Sequence, residues 1–153
     1  ECFRIPNGKV GIEVTQRIPI LRIMASNGDN YYLDKKGVIM PTANNAANVA
    51  IVTGYVDRNF AQKELYEFGV FLKENSFWNA QIQQINVTAS KELELVPRVG
   101  EHIIFMGKPG NYEKKFDRLK IFYKKGLNEV GWNKYSRISL EFENQIICTK
   151  KEK

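Results

Sequence analysis

The chain is poor in the residues from which most active sites are built. It holds one histidine, His102, and two cysteines, Cys2 and Cys148. That excludes a zinc cluster, a disulfide framework or a cysteine–histidine cluster as the centre of function. No G-x-x-x-x-G-K phosphate loop, G-x-G-x-x-G or G-x-S-x-G occurs, and the glycines stand singly in turn contexts. No run of about 18 apolar residues is present, so no stretch reads as a membrane-crossing helix. The opening residues lack the basic-then-apolar plan of a signal peptide, and Glu1 stands where an initiating Met would, so the chain reads as a piece of a longer polypeptide. What is there is ordinary for a folded domain. Hydrophobic residues make up 43% and charged residues 26% of 153 residues, too apolar for disorder and enough for a core without staples. The length fits one domain, or one domain with a fragment of a neighbour.

Lysine plus arginine number 23 and aspartate plus glutamate 17, a net charge of 23 − 17 = +6. A basic balance permits an acidic partner: nucleic acid, anionic headgroups or an acidic protein surface. The basic residues are scattered, however. Lys114, Lys115, Arg118, Lys120, Lys124 and Lys125 fall inside a helical pattern with interspersed acids and read as a solvated helix face. Lys150, Lys151 and Lys153 read as a frayed tail.

Along the chain, residues 9–16 alternate Val10, Ile12 and Val14 with polar neighbours, the pattern of a half-buried strand, after an Asn7-Gly8 turn and a strand ending near Ile5. Residues 18–24 form a further strand with Pro19 at its start. Turns at 27–30 and 35–37 bracket a short strand at 31–34 and lead into 38–40. Residues 42–48 read as a loop and 49–52 as a short apolar strand closed by Gly54. The period then changes. Phe60, Leu65, Phe68, Phe71 and Leu72 recur at helical spacing over about 58–75, with Asp57 as N-cap and Gly69 inside the helix at a cost in propensity. After Phe77-Trp78 three strands follow: around Ile82, Ile85 and Val87, with a register irregularity; around Leu93 and Leu95; and over 102–106. A second helix spans about 112–127, with Phe116, Leu119, Phe122 and Tyr123 on its apolar face and Gly126 or Gly131 as its stop. Strands at 137–142 and 145–149, joined by Glu143-Asn144, close the chain. Hairpin-linked strands with two helices point to an α+β fold: a mainly antiparallel sheet with two helices packed on one face, not a βαβ alternation.

No acid/base constellation emerges. His102 beside Ile103 and Ile104 reads as structural, Glu92 and Glu94 as the wet face of a strand, and Asp34 as a turn residue bonding its own backbone. The aromatics at helical spacing read as core rather than as base-stacking platforms. Cys148, alternating with Ile146, reads as a small buried hydrophobe, and the Asn86-Val87-Thr88 sequon falls in a strand. Composition and periodicity favour a binding or scaffolding protein over an enzyme.

The order of segments resembles the extracytoplasmic region of the bacterial cell-division family FtsQ/DivIB. Lys9-Val10-Gly11-Ile12-Glu13-Val14-Thr15-Gln16-Arg17-Ile18-Pro19 resembles the family's passage out of its POTRA domain. Tyr32-Leu33-Asp34-Lys35-Lys36-Gly37-Val38 resembles the hairpin that opens its β domain. Leu93-Glu94-Leu95 through Val99-Gly100 to Ile104 and Gly107 resembles its strand–glycine–strand–glycine hairpin. Lys114-Lys115-Phe116 with Arg118 and Leu119 resembles its second-helix element, and residues 137–142 followed by 145–149 resemble its closing strand pair. One departure is Ser139-Leu140-Glu141, where the family often has Asp-Leu-Arg.

The resemblance implies residues 1–20 as the end of a POTRA domain and 21–153 as the β domain of a non-enzymatic divisome scaffold. It implies no cofactor, a single membrane-spanning helix upstream that holds this domain on the extracytoplasmic side of the inner membrane, and FtsB/DivIC-like and FtsL-like coiled-coil proteins as partners. The partner is expected to add a strand to the edge formed by the last strands. The candidate contact residues are Tyr135, Arg137, Phe142, Gln145, Ile146, Ile147, Thr149 and Lys150, with Tyr135, Arg137 and Lys150 as aromatic and cationic contacts to an acidic segment. Phe142, Ile146 and Cys148 form one face of that ribbon and Gln145, Ile147 and Thr149 the other, and the pattern leaves open which faces the core. The competing readings are a basic nucleic-acid-binding domain, whose affinity would fall steeply with salt, and another POTRA-containing envelope assembly factor.

Overall fold

A computed structural model of the chain describes residues 2–42 and 46–153. The first elements are β1 (Cys2–Ile5) and β2 (Lys9–Ile12), an antiparallel pair apart from the main sheet. Asn7 and Gly8 both take positive φ in the turn between them, as the dipeptide predicts. The expectation of a half-buried strand fails here: Val10, Ile12 and Val14 are all exposed. Two strands alone shield neither face. The Phe3 ring and the Ile5 side chain lie over Gly11, where a Cβ would stand 2.6 Å from the ring and 3.1 Å from Ile5.

Among the described residues the other strands form one nine-stranded sheet: β3 (Pro19–Ala25), β4 (Asn30–Asp34), β5 (Ile39–Met40), β6 (Ala50–Gly54), β7 (Ile82–Val87), β8 (Leu93–Pro97), β9 (Ile103–Gly107), β10 (Tyr135–Ser139) and β11 (Ile147–Lys150). Their spatial order is β11-β10-β9-β8-β7-β6-β3-β4-β5. Part of the loop expected at 42–48 lies outside the described residues. The α+β class and the antiparallel majority hold, but β3–β6, β6–β7 and β9–β10 are parallel. Two of these joins are βαβ crossovers, which the sequence reading had set aside. Parallel neighbours need a long connection over one face, and both helical segments supply it. The register irregularity expected in β7 is present, between Ile82 and Gln84.

The first crossover begins at Asp57, whose carboxylate accepts the Phe60 N–H at 2.8 Å. It comprises α1 (Arg58–Phe60), a π-helical turn (Ala61–Leu65), α2 (Tyr66–Glu74) and α3 (Ser76–Gln81). Periodicity predicts a single helix here and misses α3. Asn75 leaves helical geometry and its side chain caps α3 at the Trp78 N–H, so Trp78 turns inward where a return to strand was expected. The second crossover is α4 (Tyr112–Phe122), a π-helical turn (Tyr123–Leu127) and α5 (Asn128–Val130), stopped at Gly131 with φ 98°.

Both crossovers pack on one face of the sheet in a single core. Leu21, Ile23, Leu33, Val52, Ile85, Leu95, Ile104 and Ile138 point into it from the strands. Phe68 lies at the meeting point, with ring centroids 5.0 Å from Tyr112 and 5.8 Å from Phe116, and Trp78 meets Phe116 edge-on at 4.8 Å. Gly69 allows this closeness: a Cβ there would stand 2.8 Å from side-chain atoms of Ile20 and Leu21. The aromatics are core, as their spacing predicts.

His102 is buried, its Nε2 2.8 Å from the Tyr123 hydroxyl, with Trp132 against both rings. Burial holds its imidazole below the ordinary value of 6.5. Asp34 accepts the Lys36 and Val38 N–H groups at 2.8 and 2.9 Å, the expected turn role.

Two outcomes follow. Gly69→Val, which pushes branched methyls into Leu21, is expected to lower stability by about 1–3 kcal/mol in urea unfolding; an unchanged midpoint would contradict the packing account. The unfolded chain protonates His102 near the ordinary value while the folded one resists. Stability is therefore full above about pH 6.5 and falls as the pH drops below it, through the lowered value of the folded state. His102→Gln should flatten the urea midpoint over that window, and an equally steep profile in the variant would refute this role.

Candidate functional site: the terminal sheet edge

The last two strands carry most of the residues singled out by sequence, and β11 is the end of the sheet. It pairs with β10 on one side, and among the described residues no strand lies on the other. The opposite edge is the two-residue β5. β11 therefore offers the long unpaired row of backbone donors and acceptors.

The register settles which face is which. Cys148 lies opposite the buried Ile138 and, with Ile146, packs against the core. Ile147 and Thr149 lie opposite Ser139 and Arg137 on the helix-free face, where Ile147 is 45% exposed. Cys2 and Cys148 are both free thiols, one exposed and one half-buried.

The structure places the candidates in three groups. Ile147, Thr149 and Lys150 lie in the edge strand itself. Tyr135 and Arg137 lie in β10, one strand in. Tyr135 packs on Phe122 with centroids 6.2 Å apart, and Lys134 Nζ sits 5.9 Å from its ring centre. Arg137 is engaged within the domain: its guanidinium lies 4.2 Å from the Phe105 ring centre and donates to Glu94 at 3.0 Å. Glu94, read as part of a wet strand face, is thus an ion-pair partner and also accepts from Asn86, the residue of the sequon. Phe142, Gln145 and Ile146 lie in the connection, not in strands.

That connection corrects the sequence reading. Strands at 137–142 and 145–149 were expected with a two-residue join. Instead β10 ends at Ser139 and β11 begins at Ile147. The cause lies in α4. Arg118 reaches the connection and donates to the carbonyls of Leu140, Phe142 and Gln145, the Leu140 and Gln145 bonds each at 3.4 Å. Those carbonyls are spent on a guanidinium, so the segment runs as a loop pinned to the helix. Lys115 acts similarly, donating to Met106 and Lys108 carbonyls at 2.9 and 3.1 Å, and burial draws its ammonium below the ordinary range. These two residues, read as a solvated face, hold the sheet end against α4. Nothing in the spacing of the sequence distinguishes them from their exposed neighbours. The tail is not frayed at Lys151 either: its backbone N–H donates to Lys134 and its ammonium pairs with Glu101.

Beside the edge, a cavity of about 460 Å³ opens between the α4 end and the connection. Ile121, Phe122, Gly126 and Ile146 give it an apolar wall, and Arg118 and Lys125 give it positive charge.

The site is thus a strand edge left open among the described residues, with a cationic apolar groove beside it. The family model described as FtsQ/DivIB, C-terminal related matches residues 18–149, and the chain belongs to that family. No curated protein matches the chain. Members of the family are non-enzymatic scaffolds of cell division, and that is the role of this domain. The family interacts with FtsB- and FtsL-type proteins and presents this domain outside the membrane that anchors it. No helix among the described residues is long and apolar enough to cross a membrane.

Arg118→Ala should release the connection. The expected result is a stability loss of roughly 1.5–3 kcal/mol, as for hydrogen bonds to charged groups, with faster amide exchange over Ile147–Lys150 and little change in β3 or β6. Uniform change across the sheet would deny Arg118 this local role.

Proposed function

We propose that β11 is the docking strand of this division scaffold. A segment of an FtsB/DivIC-like or FtsL-like partner adds to it as a further strand. Backbone pairing supplies affinity, and side chains at alternate positions supply specificity. The observation that carries this is the position of β11 at the sheet end with one backbone row unpaired by any described strand. Ile147 and Thr149 then meet the partner on the helix-free face, while Gln145, Ile146 and Phe142 meet it where it enters over the groove. Lys150, with Arg118 and Lys125 of the groove wall, favours an acidic partner segment. Tyr135 and Arg137 act from one strand in, the first by packing under the groove and the second by stiffening the face through Phe105 and Glu94.

In this reading the exposed β1–β2 hairpin, within residues 1–20, is the end of a POTRA domain, and residues 21–153 are the β domain. A single transmembrane helix upstream tethers both on the extracytoplasmic side of the inner membrane. The apolar exposure of Val10, Ile12 and Val14 supports a further layer over the hairpin in the complete protein.

Proline in the edge strand tests the mode. Ile147 and Cys148 direct their N–H groups to opposite sides, so Ile147→Pro and Cys148→Pro remove one donor each from the outer row and from the β10 pairing. Calorimetric titration with the extracytoplasmic part of an FtsB/DivIC-like partner should show binding weakened at least about tenfold in the variant whose outer row is broken, with unfolding still cooperative. Full binding by both folded variants would rule out strand addition at β11. A steep salt-dependent affinity for DNA or RNA in its place would favour the nucleic-acid reading.

A further inference from the structure

Both crossovers lie on one face of the sheet, and among the described residues no helix covers the other. The register aligns that second face in rows. Arg22, Ile51, Gln84 and Val96 stand side by side across β3, β6, β7 and β8, and Ile103 pairs with Arg137 beyond them. A face built only for water carries polar residues at such positions. Here Met24, Ile51, Ile103 and Ile147 are all more than a third exposed.

The polar residues between them are already bound to one another. Gln84 donates to the Thr53 hydroxyl at 3.1 Å, Asn86 donates to Glu94 at 3.1 Å, and Arg137 donates to Glu94 at 3.0 Å. Groups paired in this way keep their partners when water leaves. Charge also sets this face apart. The chain has 16 lysines, yet no strand position on the face is one. Two of its three methionines, Met24 and Met40, are there. Across β3 and β6 to β11 the charged residues on the face are Arg22, Glu94 and Arg137, a sum of +1 against +6 for the chain. Glu94 meets Arg137, and the Arg22 guanidinium lies 5.6 Å from the Tyr32 ring centre.

We propose that two copies of the chain stack through this face, sheet on sheet. A surface that meets its own copy sets like against like, so near-neutrality and the absence of lysine favour self-contact. An acidic partner is better matched by the lysine-bearing surfaces elsewhere. A second copy also brings a sheet of the same twist, as aligned sheet packing requires. Seven strands about 4.8 Å apart, each giving about five residues, make a footprint on the order of 600 Å². Two such footprints bury about 1,200 Å², the lower bound of a stable interface, so the affinity is on the order of micromolar. Stacking uses side chains and leaves the outer backbone row of β11 free, so this inference stands apart from strand addition.

The test is sedimentation equilibrium of the whole chain, without partner, up to about 500 µM. The mass should rise from 17.7 kDa towards twice that value. Ile51→Lys/Ile103→Lys, which puts lysines where the face has none, should weaken association at least about tenfold. Ile121→Lys/Val130→Lys adds the same charge at exposed positions of α4 and α5 and should leave association within about twofold. In a mixture of isotope-labelled and unlabelled copies of the unaltered chain, intermolecular methyl contacts should reach Met24, Ile51 and Ile103. A chain monomeric throughout, equal effects of the two double variants, or intermolecular contacts confined to the β11 edge, the helices or the β1–β2 hairpin would overturn the proposal.

Discussion

The domain depends on the contact of Phe68 with Tyr112 and Phe116. Two crossovers, separated by three strands in sequence, lie on the same sheet face and meet at these rings. These ring contacts set where α4 lies on the sheet, and Lys115 and Arg118 secure it at the sheet end. Gly69 lets α2 down onto β3, and Trp78, turned inward by the Asn75 cap, closes the far side of Phe116. Large aromatic side chains bury much area each and order cheaply, which suits a core thin enough to be a single layer deep.

Once α4 is fixed, the functional end of the sheet follows. Lys115 and Arg118 leave the helix on the side facing β9 and the β10–β11 connection and bind carbonyls there. A protonated guanidinium on a loop's carbonyls holds that loop without adding a strand, so β11 stays at the edge and stays open. Arg137, stacked on Phe105 and paired with Glu94, braces the same end across three strands. A bare edge invites pairing with other copies of the chain. Here it is four residues long, ends in Lys150 and is followed by Lys151, features that discourage self-association by edge pairing while leaving the edge available to a chain of opposite charge.

Much of this was legible in the sequence where one physical rule acts alone. The helices announced themselves through Phe60, Leu65, Phe68 and Leu72 and through Phe116, Leu119 and Tyr123. Asp57 was readable as a cap, Asn7-Gly8 as a turn and Asp34 as a backbone-bonding turn residue, because each depends on neighbours a few positions away. The failures come where distant parts decide. Residues 140–142 and 145–146 read as strand, yet they form a loop whose carbonyls bind Arg118, more than twenty positions earlier. The α3 turn hides in a segment whose apolar residues fit either period. The parallel joins could not be read from hairpin-like turn signals, because a crossover is defined by which strand the chain returns to. Val10 and Ile12 alternate like a half-buried strand, yet nothing among the described residues covers them. At the site, Ile147 and Thr149 were placed in the edge strand by pattern and resemblance together, whereas the internal engagement of Arg137 left no mark in the sequence.

The central claim is that this scaffold works by lending the outer backbone row of β11 to another polypeptide. Interchain nuclear Overhauser contacts in an isotope-labelled complex with an FtsB/DivIC-like partner measure it most directly. The account predicts Hα–Hα and amide contacts between an extended partner segment and Ile147–Lys150, with new exchange protection there. Partner contacts confined to β5, to the helix layer or to the β1–β2 hairpin, with the β11 amides unchanged, would contradict it.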